Sequence, residues 1–213
     1  MKRIVFISGY YGSGKTEVSL NLAKQFHFNY LVDLDIINPY FRSREARDIL
    51  DDVEIISSDL QNDTYTDLPY LSKKIFLPLQ NPNAKALYDL GGNDLGAKVM
   101  RQFEDLDMNE VDFFLVVNIF RPETNSLENI LKMINKIEGS SGYKITGLIH
   151  NSNLLKETTI EDILEGQKII HQVYKMTGIE VVFTTLHENL YNKDVRLLGN
   201  ILKLKTYLTK NWY

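Results

Sequence analysis

One stretch of this chain has residue types and spacing that dictate a chemistry. Gly9-Tyr10-Tyr11-Gly12-Ser13-Gly14-Lys15-Thr16 carries Gly-x-x-x-x-Gly-Lys-Thr between the apolar run Ile4–Ile7 and a segment of helix-forming residues. Three glycines let a backbone approach phosphate without a Cβ in the way. The amides of residues 12 to 16 then point inward as an anion nest at a helix N-terminus. Lys15 reaches the β- and γ-phosphates, and the Thr16 hydroxyl joins the oxygen shell of Mg²⁺. The residues expected on the nucleotide are Gly9, Gly12, Ser13, Gly14, Lys15, Thr16 and Glu17. A glycine-rich turn that happens to precede a helix is the bland alternative, and eight matched positions in strand–loop–helix context stand against it.

Two acidic sites sit at the ends of predicted strands, where open parallel sheets bind ligands. Asp89-Leu90-Gly91-Gly92 closes the run Ala86–Tyr88. A carboxylate there holds Mg²⁺ directly or through water, and the glycines let an amide approach a γ-phosphate. Asp33-Leu34-Asp35 follows Tyr30–Val32. Alternation puts both carboxylates on one face, one to support the metal shell and one to orient water for in-line attack. The predicted metal set is Thr16, Asp33 and Asp89, and the predicted catalytic set is Lys15, Asp35 and Asp89. Each acid also has a bland reading as a polar strand end or turn.

The base and the remaining charges are less determined. A guanine reader usually shows Asn-Lys-x-Asp, whereas this chain has Asn151-Ser152-Asn153-Leu154. A carboxamide offers both donor and acceptor to an adenine edge, so Asn151 is the candidate base reader and ATP the expected nucleotide; a turn-capping Asn is the alternative. Arg42 and Arg121 are the arginines expected near the site. Surface ion pairs with Glu45, Asp48 or Glu123 explain either equally well.

These residues need a scaffold, and the hydrophobic pattern supplies one. Short apolar runs at Ile4–Ser8, Tyr30–Asp33, Val53–Ser57, Ala86–Asp89, Phe113–Asn118, Ile145–His150 and Glu180–Thr184 alternate with longer amphipathic segments. Runs apolar throughout are what strands buried on both faces look like. Helices are expected at Lys15–Phe26, Ser43–Leu50, Leu95–Phe103, Pro122–Glu138, Ile160–Thr177 and Asp194–Lys210. Pro122 suits a first helical turn, Thr158 to Glu161 has the form of a capping box, and Gly178 suits a helix stop. The expected fold is α/β: a three-layer P-loop NTPase fold, its mostly parallel central sheet of about seven strands covered by helices on both faces. Residues 1–213 read as one domain with an irregular excursion at about 59–83, which holds Pro69, Pro78 and Pro82.

Composition limits the function classes. A net charge of −4 argues against a general nucleic-acid or anionic-membrane binder. With no Cys, thiolate zinc sites and thiol nucleophiles are excluded, and the four His show no ligand spacing. No apolar run reaches the length of a membrane span, so the cytoplasm is the expected location.

The set GYYGSGKT, DLD on the second strand, DLGG, and the Asn-ended strand ITGLIHN resembles the MinD/ParA/CobQ group of P-loop ATPases within the SIMIBI class. More narrowly, VDLDIINPYFRSRE with DLGGNDLGA is similar to small bacterial ATP-binding proteins of unassigned role. The resemblance implies that Lys15 and Thr16 bind phosphate and Mg²⁺, that Asp35 positions the lytic water, that Asp89 holds the metal shell and that Asn151 reads adenine. It also exposes a departure. MinD and ParA relatives carry a lysine directly after the first loop glycine, and here that residue is Tyr10. The expected function is a Mg²⁺-dependent ATPase acting as a nucleotide-state switch. The alternative is a small-molecule kinase or ATP-dependent ligase with an acceptor site near 59–83. Expected partners are ATP and an unidentified protein or small molecule, with no nucleic acid and no membrane; a homodimer is compatible with the resemblance.

Overall fold

The computed structural model describes residues 1–35, 50, 52–57, 73–92, 94–103, 106–191 and 195–208. The predicted helix Ser43–Leu50 (apart from Leu50 itself), Arg42, and residues 59–72 of the expected excursion lie outside the described residues. Among the described residues eight strands form one sheet: β1 Ile4–Gly9, β2 Tyr30–Leu34, β3 Glu54–Ser57, β4 Ala86–Leu90, β5 Val111–Val117, β6 Gly147–His150, β7 Val181–His187 and β8 Asn200–Leu204. Their order is β3-β2-β4-β1-β5-β6-β7-β8, and every pairing is parallel. Among the described residues the α-helices are α1 Lys15–Gln25, α2 Leu77–Gln80, α3 Asp94–Val99, α4 Leu127–Ser141 and α5 Ile160–Thr177.

The sheet divides the core in two because successive strand side chains point to opposite faces. Ile4 and Phe6 of β1 join Tyr88, Phe113, Ile134 and Ile170 beneath α3, α4 and α5. Val5 and Ile7 join Leu20, Leu31, Leu87 and Phe114 beneath α1. A strand that feeds both cores must be apolar at every position, which is why these runs do not alternate. Phe6 and Tyr88 stack at 4.7 Å between ring centroids, and the Tyr88 hydroxyl donates to the Ile75 carbonyl at 2.9 Å. That bond ties the described part of the expected excursion to the sheet: residues 73–80 are a helical turn running into α2, not irregular chain.

Three sequence expectations need correction. The described part of the predicted helix Asp194–Lys210, residues 195–208, is not helical; within it Asn200–Leu204 is an eighth strand pairing with β7. Gly199 precedes it at φ +68°, a left-handed conformation that ends any helix, and the open edge of β7 recruits residues 200–204 behind it. The capping box of α5 lies one residue later than expected, between Thr159 and Asp162. Pro122 opens a separate 3₁₀ turn, Pro122–Thr124, and α4 starts afresh behind the Ser126 cap.

Candidate functional site

β1 lies where the chain turns from building one side of the sheet to building the other, with β4 on one flank and β5 on the next. Its loop therefore opens into the crevice where such sheets bind ligands. Gly14 stands before α1 at φ +83°, and no side chain caps the helix. The first amides of α1 are left for an external anion.

Lys15 folds back over the loop, and its Nζ lies 3.2 Å from Asp35 Oδ2, both side chains more than nine-tenths buried. Asp35 is placed by its neighbour Asp33, whose Oδ1 accepts from the Asp35 amide at 2.9 Å. Asp33 and Asp89 are register partners on β2 and β4, so the three acids form one group at the strand ends. Asp89 is fully buried, and neither carboxylate oxygen makes a hydrogen bond of normal geometry. Burial pushes it up to about 6; Lys15 counters this most, then the nearby Thr16 hydroxyl, while Asp35 adds to the rise and Ser19 opposes it. A buried carboxyl facing Lys15, Thr16 and a second acid fits a divalent cation that takes one or two carboxylates and completes its shell with phosphate. Among the described residues there is no group of three acids or histidines dense enough to cage a metal without such help.

Asn151 sits on the other side of the loop. Its Nδ2 donates to the Ser13 carbonyl at 2.6 Å, and its Oδ1 accepts from the Thr185 hydroxyl. The carboxamide thus ties the phosphate loop to the ends of β6 and β7. Behind it, Ser152 Oγ accepts from the Ile119 amide and pairs with His150 Nε2 at 2.8 Å. Arg121 Nε donates to the Gly12 carbonyl at 2.8 Å, which seats this arginine on the loop as expected. Glu17 behaves differently: its carboxylate accepts from the amides of Tyr207 and Leu208, and the residue also borders the cavity over the loop.

A cavity of about 740 Å³ opens over this group, lined by Gly12, Gly14, Lys15, Thr16, Asp35 and Arg121 at the loop end. Asn151, Asn153, Leu155, Leu204 and Leu208 line the end toward β6–β8. A second cavity of about 740 Å³ lies across Tyr10 and Pro122 against α4, with Ser8, Gly92, Lys132 and Met133 on its walls. Tyr10 is half-buried against the core and borders both spaces. The position where MinD and ParA proteins carry a lysine is here an apolar partition. Gly92 seals the loop from the β4 side, since a Cβ there would lie 2.9 Å from both the Gly9 carbonyl and the Tyr11 amide.

Lys15, Thr16, Asp35 and Asp89 are thus brought together, with Asp33 beside them, and Asn151 and Arg121 meet the loop from the opposite side. Sequence reasoning did not reach Ser19, Thr185 or the leucine wall. Ser19 had a readable signal, one helical turn after Thr16. Leu204 and Leu208 had none, because both lie in the segment read as helix, and Leu155 stands in a short 3₁₀ turn after β6.

No family model matches the sequence, and none of the curated proteins matches it. Solved structures do. The crystal structure of FlhF complexed with GTP and Mg²⁺ aligns with 78% of this chain at 12% identity and a TM-score of 0.50. The cell division protein FtsY from Thermotoga maritima aligns with 93% at 16% identity and a TM-score of 0.54. The signal recognition particle receptor FtsY from Elizabethkingia anophelis aligns with 93% at 14% identity and a TM-score of 0.50. The aligned regions span 60%, 66% and 63% of those chains. At such identities the likeness shows the fold alone: a three-layer α/β P-loop NTPase architecture with a parallel central sheet.

Proposed function

We propose that this chain binds a nucleoside triphosphate with Mg²⁺ and hydrolyses its γ-phosphate, acting as a switch between nucleotide states for a protein partner. The observation that carries this reading is the buried Lys15–Asp35 pair beside Asp89, at the uncapped N-terminus of α1 and under an open cavity. Lys15 holds the β- and γ-phosphates and exchanges Asp35 for them. Asp35, released, accepts a proton from the attacking water. Thr16, Asp33 and Asp89 hold Mg²⁺, which neutralises charge on the phosphate oxygens. ATP is the proposed nucleotide, because Asn151-Ser152-Asn153-Leu154 lacks the carboxylate that accepts from a guanine ring. The GTP in the FlhF structure makes the choice of base the first thing to measure.

The test is titration with ATP and GTP in Mg²⁺, followed by turnover. Lys15→Ala should abolish binding, whereas Asp35→Asn and Asp89→Asn should bind but turn over at least tenfold more slowly. Unchanged turnover in both Asp variants would remove the roles assigned to them. Tighter GTP binding would overturn the adenine preference alone.

A second reading, phosphoryl transfer to a small acceptor, is favoured by the cavity behind Tyr10. Its α4 wall carries Lys132 and Lys136 over an apolar floor of Met133 and Ile137, surroundings suited to a carboxylate with an apolar body. A burst of ADP that depends on one compound in a panel of such acids would support it over the switch.

A further inference from the structure

A stripe of polar side chains on the phosphate-loop helix grips the backbone of the C-terminal chain. Glu17, Asn21 and Gln25 recur every four residues and stand in line on one face of α1. Four residues of helix advance about 6 Å and two residues of extended chain about 6.6 Å, so the two repeats stay in step. The contacts follow that match. Gln25 Nε2 donates to the Lys203 carbonyl at 2.7 Å. Asn21 exchanges two bonds with Lys205, Nδ2 donating to its carbonyl and Oδ1 accepting from its amide, both at 2.9 Å. Glu17 accepts from the amides of Tyr207 and Leu208. Helix side chains thus take the place of a ladder partner for residues 203–208.

The same stretch carries Leu204 and Leu208, which with Leu155 line the nucleotide cavity. This wall stands on the β8 side of the sheet, away from Asp35 at the end of β2. With the phosphates on α1, the group that extends toward it is the base. We propose that residues 203–208 form the base-side wall of the nucleotide site, and that Glu17 is the positioning residue that holds this wall in register. The ligand group that the wall takes is a planar, largely apolar ring. Glu17 follows Thr16 directly, so one helical turn sets both the phosphate cradle and the place of the base. This rests on the nucleotide reading above.

The experiment compares a non-hydrolysable ATP analogue with inorganic tripolyphosphate, both with Mg²⁺, by calorimetric titration. Tripolyphosphate reports the cradle without the wall. Glu17→Ala and Leu208→Ala should each weaken the analogue about tenfold, a change of about 1.4 kcal/mol, and leave tripolyphosphate within twofold. Equal losses on both ligands would overturn the proposal, since Glu17 would then only support the loop. So would unchanged affinity for the analogue in both variants. Leu208→Ala leaves the α1 stripe intact, so it tests the wall even if loss of Glu17 loosens the helix. Wild-type protein that binds tripolyphosphate as tightly as the analogue sinks the wall and leaves the phosphate site standing. Wild-type protein that binds neither sinks the nucleotide reading itself, and the wall with it.

Discussion

Lys15 and Asp35 neutralise each other inside a site that, on the proposed function, opens for a triphosphate. Removing one member of a buried pair usually costs roughly 3–5 kcal/mol, because the other charge is left without compensation. Here Asp89 stays next to Lys15, so Asp35→Asn should cost the ligand-free protein less, roughly 2 kcal/mol by the same reasoning. Denaturant unfolding with and without nucleotide checks this. The deficit should shrink when phosphate takes over Lys15, and a deficit that persists unchanged would mean the two do not exchange. A second residue-scale effect belongs to His150, buried under Gly166 of α5 with Ser152 on its Nε2. Burial alone pulls it down from 6.5 to about 4. The unfolded chain therefore binds a proton that the folded one refuses between those values. The His150 contribution is complete above pH 6.5 and is lost as pH drops toward 4, by about 3 kcal/mol in all at 1.36 kcal/mol per unit. Asp89, raised to about 6, acts with the opposite sign over much of the same range, so the difference between wild type and His150→Gln isolates the effect: their unfolding free energies should draw together by that amount from pH 7.5 to 4.

At the scale of elements, Asn151 decides between two roles. Its amide closes the loop after β6 onto the Ser13 carbonyl and onto Thr185 of β7. Asn151→Ala strands a buried carbonyl and a buried hydroxyl and should cost roughly 2 kcal/mol or more. Because the bond to Ser13 shapes the phosphate loop, tripolyphosphate and nucleotide affinity should fall together. Loss of nucleotide affinity alone would make Asn151 a base reader and nothing else. The elements also show what the sequence could reveal. Lys15–Gln25 and Ile160–Thr177 were legible from helix period, glycines and caps, and the strands from runs apolar at every position. Asn200–Leu204 was not, because its leucines and isoleucine fit a helical spacing as well as an alternating one. Gly199 was the only local dissent. The bare edge of β7 settles the choice, and that is a tertiary fact. Leu204 and Leu208 were hidden in the same misread segment, and with them the bonds that the Glu17 carboxylate accepts from the Tyr207 and Leu208 amides.

For the whole molecule, the strand order was the part that no local pattern carried. Placing β4 between β2 and β1 brings Asp33 and Asp89 into register, although 56 residues separate them in the chain. The site therefore draws on β1, β2, β4, β6, β7 and the chain after β8, and few parts of the sheet are independent of it. A ligand bound there couples to global unfolding rather than to one loop. Nucleotide at a hundred times its dissociation constant should add about 2.7 kcal/mol. For a chain of this size each kcal/mol raises the midpoint by about 2–4 °C, so Mg²⁺ and nucleotide together should lift it by about 5–10 °C. Thermal unfolding followed by circular dichroism checks the shift. Lys15→Ala should abolish it. Glu17→Ala should halve it with nucleotide yet leave the smaller shift from tripolyphosphate in place, because the variant removes the base wall and spares the cradle. A full shift in Glu17→Ala would mean that the C-terminal chain packs against the site without sharing in the binding.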